Sequence, residues 1–346
     1  MIANADPVTT PNTQLYGPIS ALARQRKTWS PELLAGVVWR ALTNLGVHRQ
    51  VRELLKFPAL AEVSRSNPRF AFKYLTHDYL ARGLTTAQRA ACFLHHYRRL
   101  HAALPDPLLR QALGGDIALH EIHVDGHRFN VSMGLCKTWD KEGEMSLNLH
   151  VNGEIVFLMS FTIVPGTVVN SEASEVLLIS RLQGMKGSYR EIHLATRALH
   201  NVAPDAVLLA ALQGIADAFG IREIAAVTAA RQGSGTKDSL AAFKQAYDDF
   251  FTGLGIPQTS AGFFLTPVPV ERKPLASIKK GHRIRTKEKR AFKQRIQSAC
   301  AAFFAEHAPL ATHPLSSATP GVGLSRPHFH MDPIVCPGDA ALPVRK

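Results

Sequence analysis

The stretch MSLNLHVNGEIVFLM (Met145–Met159) decides the fold. Met145, Leu147 and Leu149 alternate with polar residues, the period of a strand that buries one face. Asn152-Gly153 is a two-residue hairpin turn, and Ile155 to Met159 forms the returning apolar strand. Upstream, Ile122-His123-Val124 meets a turn at Asp125-Gly126 and returns as Phe129 to Leu135, so one hairpin follows another. Downstream of an irregular segment, Val176 to Ser180 is a further short strand that ends in RLQGMKGS (Arg181–Ser188), a glycine-punctuated loop.

Helical periods flank this region. On the N-terminal side, Ser30-Pro31-Glu32 offers a cap followed by proline at the first helical position. Leu33, Leu34, Val37, Val38, Ala41 and Leu42 then share a face. A capping-box spacing at Thr85-Thr86-Ala87-Gln88 opens a second helix. On the C-terminal side, Tyr189 to His200 reads as a helix. A helix capped by Asp205 and ended by Gly220, a strand at Ile221 to Thr228, a helix at Ser239 to Leu254 and a last strand at Gly262 to Val268 follow. The expected fold class is α/β, with a helical N-terminal subdomain and a mixed, mostly antiparallel sheet with flanking helices. The boundaries are a flexible arm (1–28), the helical subdomain (29–115), the α/β core (116–271), a basic segment (272–305) and a disordered tail (306–346).

Composition narrows the function classes. The chain has 346 residues, 46% hydrophobic and 19% charged, which fits a globular protein and excludes a rod or a wholly disordered chain. Its four cysteines contain no C-x-x-C pair, so a zinc ribbon or a thioredoxin-type redox pair is not expected. His120, His123 and His127 span a strand and a turn and do not converge, and no metal is expected. Neither G-x-S-x-G nor a P-loop motif is present. The N-terminus lacks the basic and apolar regions of a secretory leader, so the expected location is the cytoplasm, peripheral to the inner membrane.

Charge is concentrated. Between Arg272 and Arg295 eleven Lys and Arg face one acid, Glu288, which supplies +10 of the net +13. Lys279, Lys280, Arg283, Arg285, Lys287, Lys289 and Arg290 are the candidate polyanion-binding residues. Phe292 is the sole aromatic there, so phosphate contact is expected ahead of base stacking, and an anionic membrane surface ahead of nucleic acid.

Antiparallel strands, a strand opening into a glycine loop before a helix, then strand, helix and strand, is an order that resembles acyl-CoA N-acyltransferases of the GNAT type. Free backbone N–H groups in such a loop and at the next helix start can hold a pyrophosphate. Gln183-Gly184-Met185-Lys186-Gly187 is similar to the Q/R-x-x-G-x-G/A loop of that superfamily. Phe250 to Ile256 is similar to its later aromatic-glycine signature, with Phe251 in place of the usual tyrosine. The resemblance implies an acyl-CoA or acyl carrier protein thioester as donor and an amine as acceptor, and no metal. Arg181, Gln183, Gly184, Lys186, Gly187 and Ser188 are the candidate donor-binding residues. Glu144, at the entry of a strand, is the candidate general base. His200 could shuttle a proton, and Tyr247, one helical turn before Phe251, could supply the missing hydroxyl. The plainer alternatives are a structural ion pair for Glu144, a helix-end hydrogen bond for His200 and core packing for Tyr247.

At whole-sequence level the runs EGEMSLNL, ISRLQGMKG, ATRALHNVAPDAVLLAALQGIADAFGI, YDDFFTGLG and IKKGHRIRTKEKRAFK closely resemble the VirK/YbjX family, also called DUF535, over Phe72 to Arg295. This resemblance implies a bacterial protein linked to envelope modification, virulence or antimicrobial-peptide resistance, and it names no reaction. The rival expectation is a non-catalytic protein that binds a polyanion through Arg272 to Arg295.

Overall fold

The computed structural model describes residues 39–41, 43–136, 141–233 and 244–308. The expected arm, the cap at Ser30, the start of the Ser239 helix and the tail beyond 308 lie outside these residues.

A seven-stranded sheet organises the chain: β1 (Asp116–Val124), β2 (His127–Leu135), β3 (Met145–Val151), β4 (Glu154–Pro165), β5 (Glu175–Gly184), β6 (Glu223–Val227) and β7 (Phe263–Pro267). The strands lie side by side in chain order. Every neighbouring pair is antiparallel except β5 and β6, which are parallel. The parallel pair is where a crossover is needed. The chain supplies it with α5 (Tyr189–Ala198) and α6 (Pro204–Phe219).

Both hairpin turns are as expected, with Asp125 and Asn152 at positive φ ahead of Gly126 and Gly153. Two strands outrun the sequence reading. β4 extends to Pro165 through the segment expected to be irregular, and β5 runs through Arg181, Leu182 and Gln183 to Gly184. The reason is pairing: β4 and β5 match from Phe157↔Gly184 to Pro165↔Glu175, so each gives the other a ladder that local polarity does not forecast. What remains of the glycine loop is Met185 to Ser188.

The N-terminal helices are α1 (Leu45–Leu54), α2 (Pro58–Ser66), α3 (Thr86–Ala103) and α4 (Asp106–Gly114). At α3 the Thr85 side chain accepts from the Gln88 amide and the Gln88 side chain accepts from the Thr85 amide, the expected capping box. At α6 the cap is Ala203, with Pro204 in the first turn; Asp205 sits inside the helix and accepts from the Ala206 amide. Gly220 ends α6 in the left-handed conformation, φ +69°. A five-residue π-helix, Lys244–Asp248, leads into α7 (Asp249–Gly253), and α8 (Arg283–His307) closes the described chain.

α8 packs along α6, and α6 in turn covers β3 and β4, so α6 is buried almost all round. A Cβ at Gly214 of α6 would lie 2.2 Å from the Gln297 carbonyl oxygen of α8. Glycine is what lets the two helices approach this closely.

Candidate functional site

Strand register creates an unusual sheet face. On one side, Met133, Leu147, Met159 and Leu182 form a cross-strand row of apolar side chains. Side chains alternate along a strand, so the opposite side carries the residues between them. One row there reads Asp116, Gly134, Ser146, Ser160, Arg181 from β1 to β5, and the next reads Ser132, Asn148, Leu158, Gln183 from β2 to β5. Ser132, Ser146, Asn148, Ser160 and Arg181 are all buried. A buried polar surface costs stability unless its groups are paired, so each partner matters.

At the β1 end, Asp116 Oδ2 accepts from Ser132 Oγ at 2.9 Å and from Asn148 Nδ2 at 3.0 Å. His150 Nε2 lies 2.8 Å from the same Ser132 Oγ. A hydroxyl has one proton, which Ser132 gives to Asp116, so His150 carries its proton on Nε2 and donates to Ser132. Burial holds the His150 pKa below its ordinary value, with Asp116 opposing that shift. Gly134 is required beneath this cluster: a Cβ there would stand 2.2 Å from Asp116 Oδ1.

At the β5 end, Arg181 pairs with the buried Glu142 through Nη1, and its Nε donates to Gln183 Oε1 at 2.7 Å. Gln232 Nε2 donates to the other Glu142 oxygen at 2.9 Å, while Gln232 Oε1 is buried without a hydrogen-bond partner. Burial lowers the Arg181 pKa from its ordinary value, and neighbouring Tyr247 and Cys136 oppose the shift. Tyr247 Oη accepts the Leu182 amide at 3.0 Å. Burial raises the Tyr247 pKa, against the Leu182 hydrogen bond and the Arg181 charge.

The β5–β6 pairing explains why this end of the sheet is open to side chains. The two strands register over Leu177–Ile179 alone. A bulge on β5 then leaves Ser180 without a register partner in β4, and its hydroxyl is buried and unpartnered. Beyond the bulge β5 continues to Gly184, whereas β6 ends at Val227, and Tyr247 from the π-helix reaches the gap.

The sequence candidates divide accordingly. Gln183 and Tyr247 come together at Arg181, which holds Glu142. Gly184, Lys186, Gly187 and Ser188 form the following turn, with Lys186 exposed and Gly187 at φ +90°. Glu144 lies away from the donor turn, though near Arg181 in register: its neighbour Met145 pairs with Phe161, whereas Gly184 pairs with Phe157. Four residues of β4 separate them, roughly 13 Å. Glu144 is fully buried, 2.6 Å from Lys73 Nζ, and accepts from both Tyr79 and Tyr97. His200 is also apart, exposed at positive φ with its ring 5.0 Å from Phe292 and its Nε2 3.4 Å from Arg295 on α8.

Glu142 and the Asp116, Ser132, Asn148 and His150 group were not picked out from sequence. Their signal was present: the residues that alternate with Met145, Leu147 and Leu149 are Ser146, Asn148 and His150, where a solvated face usually carries Lys or Glu. Among the described residues no group of three or more His, Cys, Asp or Glu is placed to hold a metal ion, and no helix is long and apolar enough to cross a membrane.

Comparison with known proteins adds lineage. No solved structure matches the chain. The Escherichia coli (strain K12) protein named "Uncharacterized protein YbjX" is 24% identical over 262 residues, which cover 73% of this chain and 78% of the relative. The model of the family described as "Protein of unknown function (DUF535)" matches residues 37–302, which takes in every strand and every side chain of the polar face, and the chain belongs to that family.

Proposed function

We propose that the protein is an acyltransferase with a core of the GNAT kind, which moves an acyl group from a coenzyme A or carrier-protein thioester to an amine. The observation that carries this reading is the short parallel register of β5 and β6 over Leu177–Ile179, followed by their separation. Beyond that register the β5 main chain has no strand partner in β6, and the Leu182 amide is held there by Tyr247 Oη, which a ligand would displace. An extended pantetheine arm, with its own amides, can bind there as a strand would. The turn Met185 to Ser188 and the first turn of α5 stand at the end of β5, and their backbone N–H groups and Lys186 suit the phosphates of the donor.

In this reading the acceptor amine approaches from the half-buried Gln183 side of the face, whose central members are buried, and attacks the thioester carbonyl. The C–N bond forms, the C–S bond breaks, the amine proton passes to Glu142 and the leaving thiolate takes the Tyr247 proton. Burial keeps the Tyr247 phenol protonated, so a proton is present where the thiolate forms. Asp116, at the far end of the face, provides a carboxylate for a cationic group of the acceptor. Glu144 and His200 take no part in this scheme.

Calorimetry on the full chain with coenzyme A, acetyl-CoA, longer acyl-CoAs and an acyl carrier protein tests it. Binding that weakens in Gly187→Val, which strains a positive-φ turn, is the expected result. Failure of all four to bind with dissociation constants below about 1 mM removes the donor site and the proposal with it.

A further inference from the structure

We infer that the turn Lys279–His282 and the first two turns of α8 form a knob that docks on an anionic lipid surface. The inference is independent of the acyltransferase reading. Lys279, Lys280, Arg285 and Lys287 are exposed. Arg283 is committed to the chain, donating to the Ile278 carbonyl at 2.8 Å and the Ala276 carbonyl at 2.9 Å. Arg290 likewise donates to the Lys273 carbonyl. Lys289 is half-buried, and its pKa is lowered by burial and by Arg285. The seven basic residues singled out from the sequence therefore reduce to four outward cations and three that are partly held in the fold.

Two features argue against an ordinary solvated helix face. The first buried residue of α8 is Phe292, after which Ile296, Cys300 and Phe304 repeat every fourth residue against the body. The nine residues from Arg283 to Ala291 contain none, and this part of the helix is held to the chain through the 273–278 segment that Arg283 and Arg290 bind. The helix also begins with cations and has no acid in its first turn, the arrangement that the helix dipole disfavours. The four outward cations gain nothing from the helix dipole, and their exposure leaves them available to an external anion.

The chemistry of that partner follows from Ile284. It is 75% exposed at the centre of the basic group, with Lys287 and the one acid, Glu288, a turn away. An exposed apolar side chain beside outward cations matches an anionic bilayer, where phosphate headgroups lie above hydrocarbon. Nucleic acid fits less well, because Phe292 is buried against His200 and no other aromatic residue lies in the segment.

The test is co-sedimentation of the full chain with phosphatidylcholine vesicles containing phosphatidylglycerol, alongside pure phosphatidylcholine vesicles and a fluorescent DNA duplex. Binding to the phosphatidylglycerol vesicles that falls with salt is expected. The quadruple variant Lys279→Gln, Lys280→Gln, Arg285→Gln, Lys287→Gln should lose roughly a thousandfold in affinity, at about 5.5-fold per cation near the surface. Because these side chains are exposed, its melting temperature should match the parent's. Ile284→Ser, which removes the apolar side chain without changing charge, should weaken vesicle binding and leave any duplex binding nearly unchanged. Equal binding to both vesicle types, no vesicle binding, undiminished binding by the quadruple variant, or a preference for duplex that Ile284→Ser does not alter would each overturn the inference.

Discussion

Tyr247 Oη accepts the backbone N–H of Leu182 at 3.0 Å across the gap between β5 and β6. A side chain thus does what a seventh residue of a longer β6 would otherwise do, and it does so beside the Glu142–Arg181 ion pair. The contact ties the π-helix to the strand that carries the candidate donor turn.

Tyr247→Phe removes that acceptor from a buried amide. The expected loss is about 1–3 kcal/mol of stability, read by denaturant unfolding. If the proposed chemistry holds, kcat falls while KM changes little, because the phenol proton is needed at the leaving thiolate and not for binding. An equal rise in KM alone would assign the hydroxyl to binding.

Gly134→Ala puts a methyl group where Asp116 Oδ1 now lies. Overpacking of this kind costs about 1–3 kcal/mol, and it separates Asp116 from Ser132 and Asn148. Asp116→Asn keeps the shape and removes the charge. In the proposed reaction both variants weaken use of a cationic acceptor, and steady-state kinetics with a charged and an uncharged amine measure the difference.

Lys73→Met leaves the Glu144 carboxylate buried without its cation. The expected loss is about 3–5 kcal/mol, seen as a lower denaturant midpoint. Glu144→Gln keeps one acceptor oxygen, enough for one of the two tyrosines, and takes the carboxylate from Lys73, so a comparable loss is expected. Donor binding by Glu144→Gln at a temperature where it is folded should equal that of the parent, since the register separates Glu144 from the donor turn.

Acid sensitivity follows from buried histidines. His96 is fully buried, accepts the Ile163 amide on Nδ1, and burial holds its pKa well below the ordinary value; His150 is shifted the same way. A histidine with a lowered folded pKa contributes stability that is complete above the unfolded value near 6.5 and is lost as pH falls below it. Each such group is expected to take away about 1.4 kcal/mol per pH unit until its folded pKa is reached. Chemical unfolding between pH 7 and pH 5 measures the slope, and His96→Gln should make it shallower.

The hairpins, the Thr85 capping box and the Gly220 helix end were legible in the sequence because each depends on residues a few positions apart. β5 was read short because Arg181 and Gln183 look like loop residues until β4 is paired beside them. His200 was weighed as a proton shuttle from its helix-end position, but only packing brings Phe292 and Arg295 against it.

The alternation in Met145–Val151 fixed which residues share a strand face, since side-chain period is a local property of extended backbone. It did not fix what that face meets. Whether Ser146, Asn148 and His150 look onto water or onto a buried polar row depends on Asp116 crossing Gly134 and on Arg181 arriving from β5, contacts that span 18 to 39 positions of chain. Local energetics are the same in either case. Only the register of five strands, set by the whole sheet, selects between them.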